Sequence, residues 1–111
     1  MAVQHRILVV DDEASMRELL EIIFGKAGYK VVSAPSDARG RMDMKAFKEL
    51  LDDEVAAVML TNPNTLGLFD ENVREMADLV HAKDGLMYYD GANLNAILGR
   101  CRPGDIGFDV I

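Results

Sequence analysis

Residues 5–34 read HRILVVDDEASMRELLEIIFGKAGYKVVSA, and this stretch decides the fold class. Ile7 to Val10 is an unbroken apolar run between Arg6 and Asp11, the pattern of a parallel strand covered on both faces. In the next segment Met16, Leu19, Leu20, Ile23, Phe24 and Ala27 recur at helical spacing, which predicts one buried stripe, and Gly28 supplies a left-handed stop. Tyr29 to Val32 reads as a second strand. A strand, a helix and a strand in close succession predict a parallel pair joined by a right-handed crossover.

The same alternation continues outward. SAPSDARGR is a turn-rich connection, and a helix starting near Asp43 directs Met44, Phe47, Leu50 and Leu51 inward. Val55 to Leu60 is the third strand, ended by TNPN, whose Asn and Pro residues break regular structure. The helix after Asp70 presents Val73, Met76, Ala77 and Val80 as its buried stripe. Leu86 to Tyr89 is the fourth strand, with Tyr88 and Tyr89 on opposite faces. A short helix over Ala92 to Leu98 ends at Gly99, and Phe108 to Ile111 reads as a fifth strand. The expected fold is therefore α/β, a three-layer, flavodoxin-like, five-stranded parallel sheet of order 2-1-3-4-5 with helices on both faces. Such sheets bind ligands beyond the carboxyl ends of their strands. The groups placed there are Asp11 and Asp12, Thr61 to Asn64, and Asp90 to Asn93.

At 111 residues, half hydrophobic and 28% charged, the chain is expected to form one domain over residues 1–111 with its own core. A net charge of −7 without a basic cluster argues against nucleic acid and anionic membranes as partners. The single Cys101 can form no internal disulfide, and His5 and His81 have no cysteine cluster at zinc spacing. The leading apolar run is too short for a signal peptide or a span, so a cytoplasmic location is expected. No defined protein partner emerges, and the expected state is a monomer, with a dimer as the alternative. The methionines Met16, Met44, Met59, Met76 and Met87 read as adaptable core filler.

Two resemblances bear on function. HRILVVDDEASMRELLEIIFGKAGYKVVSA resembles the start of a response-regulator receiver domain over residues 1–36, paired acids Asp11 and Asp12 included. That resemblance implies a magnesium role for the pair, and adjacent carboxylates at a strand end suit a hard cation. The alternative is that Asp11 or Asp12 caps the following helix. The receiver pattern has an aspartate after strand 3, a hydroxyl residue after strand 4 and a later lysine. Here strand 3 ends in Leu60, Thr61 and Asn62, and strand 4 in Asp90 and Gly91, so phosphorelay chemistry is not expected.

From Asp37 to Ile111 the chain resembles an internal piece of glycine dehydrogenase (decarboxylating), the pyridoxal-phosphate-dependent decarboxylase of the glycine cleavage system. TNPNTLGLF and YYDGANLNAI carry that resemblance. It implies that Asp90 pairs with the pyridine nitrogen of the cofactor and that Ala92 packs against its ring. A carboxylate beside that nitrogen keeps it protonated, so the ring can accept electrons. The family's cofactor-anchoring lysine follows the strand that here ends at Ile111, and the last lysine is Lys83. Asp90 and Ala92 are accordingly expected to be vestigial, with Asp90 bonded to turn amides or solvated.

The two resemblances meet in VVSAPSDAR. That junction predicts an engineered or recombined chimera, a de novo scaffold with no enzyme activity and no cofactor, pyridoxal phosphate included. The alternative is a receiver-like binding module with weak magnesium affinity at Asp11 and Asp12. A third, a cofactor-dependent enzyme, ranks last.

Overall fold

The computed structural model describes residues 5–10 and 13–111. In order, the elements are β1 (Arg6–Val10), α1 (Ala14–Lys26), β2 (Lys30–Ala34), α2 (Met44–Leu50), β3 (Val55–Thr61), α3 (Val73–His81), β4 (Leu86–Asp90), a short 3-10 helix (Gly91–Ala96) and α4 (Pro103–Ile106). Among the described residues the sheet has four parallel strands in the order 2-1-3-4. Arg6 pairs with Lys30 and Val10 with Ala34 across β1 and β2, and Thr61 pairs with Asp90 across β3 and β4. The carboxyl ends of β1, β3 and β4 therefore share one edge.

One face of the sheet carries the core. Leu8 and Val10 of β1, Val58 and Leu60 of β3, and Met87 and Tyr89 of β4 pack with Phe47 of α2 and with Val73, Met76, Ala77 and Val80 of α3. The two stripes expected on these helices are thus the ones that are buried, with Met44, Leu50 and Leu51 half-buried at the edge. Asp43 starts α2 by accepting hydrogen bonds from the Lys45 and Ala46 N–H groups, both at 3.0 Å, which satisfies two donors that the first turn cannot use.

Three expectations need correction. First, α1 does not bury the predicted stripe: only Arg17, Leu20 and Phe24 are half-buried, and Leu19 and Ile23 remain 48% and 49% exposed. The helix lies mainly against β1 and β2, and the same sheet face over β3 and β4 leaves Met59 and Leu86 50% and 51% exposed. A stripe packed on half a sheet face is wetted along one flank. Its stop is as expected, since Gly28 has φ +90°.

Second, the fifth strand is reduced to one bridge, between Tyr88 and Val110. Tyr89 N–H donates to Val110 O at 2.8 Å, but Met87 N–H donates instead to Asp109 Oδ2 at 2.7 Å. A side-chain carboxylate takes the position a backbone carbonyl would need, and the ladder stops. Third, α4 was not foreseen. Pro103 begins it where a missing N–H costs nothing, and the turn carries Phe108 into edge-to-face contact with Tyr89, centroids 4.9 Å apart.

Asp109 gives the closing segment a pH dependence. The Met87 N–H, then the His81 ring at 2.8 Å, hold its carboxyl below the usual carboxylate range. A depressed folded pKa contributes stability that is present above the unfolded value and is lost as pH falls through the folded one. Urea melts taken downward from about pH 5 should show wild type losing stability faster than Asp109→Asn. Parallel pH profiles for the two proteins would sink this assignment.

Candidate functional site

Asp90 is the last residue of β4, and its Oδ1 accepts the Ala92 N–H at 2.9 Å, capping the 3-10 helix. A strand-end aspartate with a small residue two positions on can bend the chain sharply and still face the sheet edge. Among the described residues this is the one hydrogen bond made by the Asp90 side chain. The expected bond to a turn amide is present, and it engages one of the two carboxylate oxygens.

Asp90 lines a cavity of about 430 Å³. Val9, Met16, Leu20, Phe24 and Met59 supply an apolar wall, and Thr61, Thr65, Asp90, Ala92 and Asn93 supply the rim. The cavity exists because α1 covers β1 and leaves Met59 of β3 open. Its chemistry is that of an apolar cavity with one carboxylate and several neutral polar groups at its rim. Such a cavity suits a planar ring carrying a protonated nitrogen, because the carboxylate then meets an N–H donor instead of water. Among the described residues, no lysine or arginine lines it.

The loop after β3 is fixed by buried amides. Asn62 is 1% exposed, and its side chain pairs with the Asp70 backbone in both directions, accepting from Asp70 N–H at 2.8 Å and donating to Asp70 O at 3.3 Å. Asp70, 6% exposed, accepts from Met42 N–H at 2.9 Å and from Asn72 N–H at 3.0 Å. Asn64 donates to Gly40 O at 2.8 Å and accepts from the Leu66 and Leu68 N–H groups. Tyr89 O–H donates to Asn62 O, and the Asn93 amide donates to Pro63 O at 2.9 Å. Every asparagine of TNPN therefore holds backbone.

Sequence reasoning placed Thr61, Asp90, Ala92 and Asn93 at this edge. It missed Thr65 and the Asn62–Asp70 pair, for which the signal is two short polar side chains bracketing the apolar run LGLF. Asp11 and Asp12 lie outside the described residues. Among the described residues no group of three or more His, Cys, Asp or Glu side chains could hold a metal ion.

A parallel α/β sheet with a carboxylate at a strand end, beside an apolar cavity, defines an α/β protein whose candidate site lies at the carboxyl edge of its sheet. The particular family follows from comparison: a family model of class-V aminotransferases matches residues 4–98, and the chain belongs to that family. It is 63% identical over 84 residues to a probable glycine dehydrogenase (decarboxylating) subunit 2 of Desulforamulus reducens, covering 76% of this chain and 17% of that protein. The protein of the same name from Caldanaerobacter subterraneus is 60% identical over 85 residues, covering 77% and 18%. The chain thus spans less than a fifth of the length of these relatives. Among solved structures, a cysteine desulfurase from Escherichia coli superposes with TM-score 0.74 at 19% identity, covering 98% of this chain and 27% of that one. A cystathionine gamma-lyase from Lactobacillus plantarum gives 0.71 at 18% identity, covering 98% and 28%. These two likenesses show the fold.

The comparisons overturn the chimera. The family model runs through VVSAPSDAR without a break, from residue 4 to residue 98, so the first third belongs to the same family as the rest. An aliphatic strand ending in acids and leading into an amphipathic helix is common to parallel α/β folds, which is why residues 1–36 resemble a receiver domain. The engineered, de novo scaffold is withdrawn, and with it the receiver-like magnesium module. The expectations of no enzyme and no cofactor fall too, since the family is that of class-V aminotransferases and the relatives are named as probable glycine dehydrogenases.

Proposed function

We propose that this chain is the part of a glycine dehydrogenase (decarboxylating)-type enzyme that holds the pyridine-nitrogen end of pyridoxal phosphate. The observation that carries the reading is the position of Asp90, on the rim of the apolar cavity with one carboxylate oxygen already oriented by the Ala92 N–H. The residues present fit that end of the cofactor. Asp90 would accept a hydrogen bond from the protonated ring nitrogen, and Ala92 would leave room for the ring. Val9, Leu20, Phe24 and Met59 offer the ring an apolar wall, and a ring seated against it would displace water from beside the charge-assisted bond. When bound, the cofactor supplies an electron sink for a substrate carbon.

The described lining carries no cation, so the phosphate falls to groups outside this cavity, in keeping with relatives more than five times as long as the matched segment. Glycine as substrate rests on the identity to the named relatives. Residues 1–111 would act as one domain, in a cytoplasmic protein without nucleic-acid or membrane partners. The charge of −7 supports the former exclusion, and no described helix is long and apolar enough to cross a membrane.

The test is a titration with deoxypyridoxine phosphate, an analogue whose methyl group replaces the aldehyde and so cannot condense with lysines. Asp90→Asn should weaken binding by about ten- to a hundredfold, the range for a hydrogen bond to a charged partner. Equal affinities would sink the reading.

A further inference from the structure

We infer that Asn93 is a positioning residue, which sets the direction of the Asp90 carboxylate by tying the turn after β4 to the loop after β3. The inference rests on the proposed pyridine-nitrogen role of Asp90 and assigns no ligand contact to Asn93.

Two turns meet at the cavity rim, and their backbones are not joined by the sheet. Asp90 is the final paired residue of β4, opposite Thr61, the final residue of β3. Beyond that pair each chain leaves the ladder. The 3-10 helix that begins at Gly91 is irregular, since Asn93 itself has φ −101° and ψ 18°, outside helical geometry. The cap from Asp90 to Ala92 N–H orients the carboxylate relative to the turn, but it does not orient the turn relative to the sheet. The Asn93 amide makes that second connection, donating 2.9 Å to Pro63 O. Pro63 is in turn held, because the neighbouring Asn62 is buried and bonded in both directions to the Asp70 backbone. The order of constraint runs from the core, through Asn62 and Pro63, to Asn93, and from there to the Asp90 cap three residues back. Asn93 is only half-buried, so its replacement removes the tie and leaves the core in place.

The experiment measures, for the full chain and for Asn93→Ala, Asn93→Leu and Asp90→Asn, the affinity for deoxypyridoxine phosphate and the pKa of the bound ring nitrogen from absorbance against pH. Thermal melting of each protein is recorded alongside. Asn93→Leu keeps the branched skeleton and removes the donor without adding a charge, so both Asn93 variants should bind about tenfold more weakly and lower the bound-ring pKa, with melting midpoints unchanged. Asp90→Asn should lower the ring pKa further. If Asp90→Asn has these effects and both Asn93 variants match wild type, the positioning role is overturned and the function stands. Weaker binding by the Asn93 variants with an unchanged ring pKa assigns Asn93 to fold stability and overturns it as well. No binding by wild type, or no effect of Asp90→Asn, overturns the function and the positioning role together.

Discussion

Asn62→Leu should lower the unfolding free energy by about 2–4 kcal/mol, as read from urea melts at neutral pH. The side chain is buried and acts as a substitute strand edge: its carbonyl accepts the Asp70 N–H and its amide donates to the Asp70 carbonyl. Leucine has the same branched skeleton, is somewhat larger, and strands both backbone groups away from water. Each buried unsatisfied group costs about 1–3 kcal/mol, so two such groups outweigh the gain from an apolar side chain. The loss propagates, because Asp70 also receives the Met42 N–H and so joins the loop before α2 to the loop after β3. A loss below about 1 kcal/mol would mean that water reaches the Asp70 backbone.

The second large effect is expected at Gly107. Its φ is +121°, a region L side chains rarely adopt, and a Cβ built there would lie 2.6 Å from the Cβ of Ala77. Ala77 is buried on α3, so neither atom has somewhere to go. Gly107→Ala combines backbone strain with overpacking and should cost about 2–5 kcal/mol. The double variant with Ala77→Gly separates the two causes. It removes the clash and leaves the strain, so part of the loss should return despite about 1 kcal/mol for a helical glycine. Additive losses in that cycle would show that the clash is relieved by movement of α4.

The legible parts of this fold are those whose partners are close in sequence or generic. The stripes of α2 and α3 were read correctly because both helices meet a fully formed sheet face, so the helical period alone selects the buried residues. The stripe of α1 has an equally clear period, yet Met16, Leu19, Ile23 and Ala27, four of its six members, stay exposed. How much sheet a helix covers is a property of the whole assembly. Asp109 shows the same limit for strands, since an apolar-looking FDVI ends as a single bridge once a carboxylate takes the Met87 N–H. At the candidate site, Asp90 and Ala92 were legible as a strand end followed by a small residue. The buried pairing of Asn62 with Asp70 was not, because its two members are joined by a loop whose path no local pattern specifies. The supposed junction between two proteins came from reading a generic strand and helix as a specific signature, and the unbroken family match over residues 4–98 removes it.

The most direct test of the central claim is to see where a pyridine ring binds. Amide chemical shifts of the full chain, followed during titration with deoxypyridoxine phosphate, report that position. The largest changes should fall on Asp90, Ala92 and Asn93, with Thr61 and Thr65 next, and Asp90→Asn should move the titration to about ten- to a hundredfold higher ligand. Changes centred elsewhere, or a titration unaffected by that substitution, would contradict the central claim.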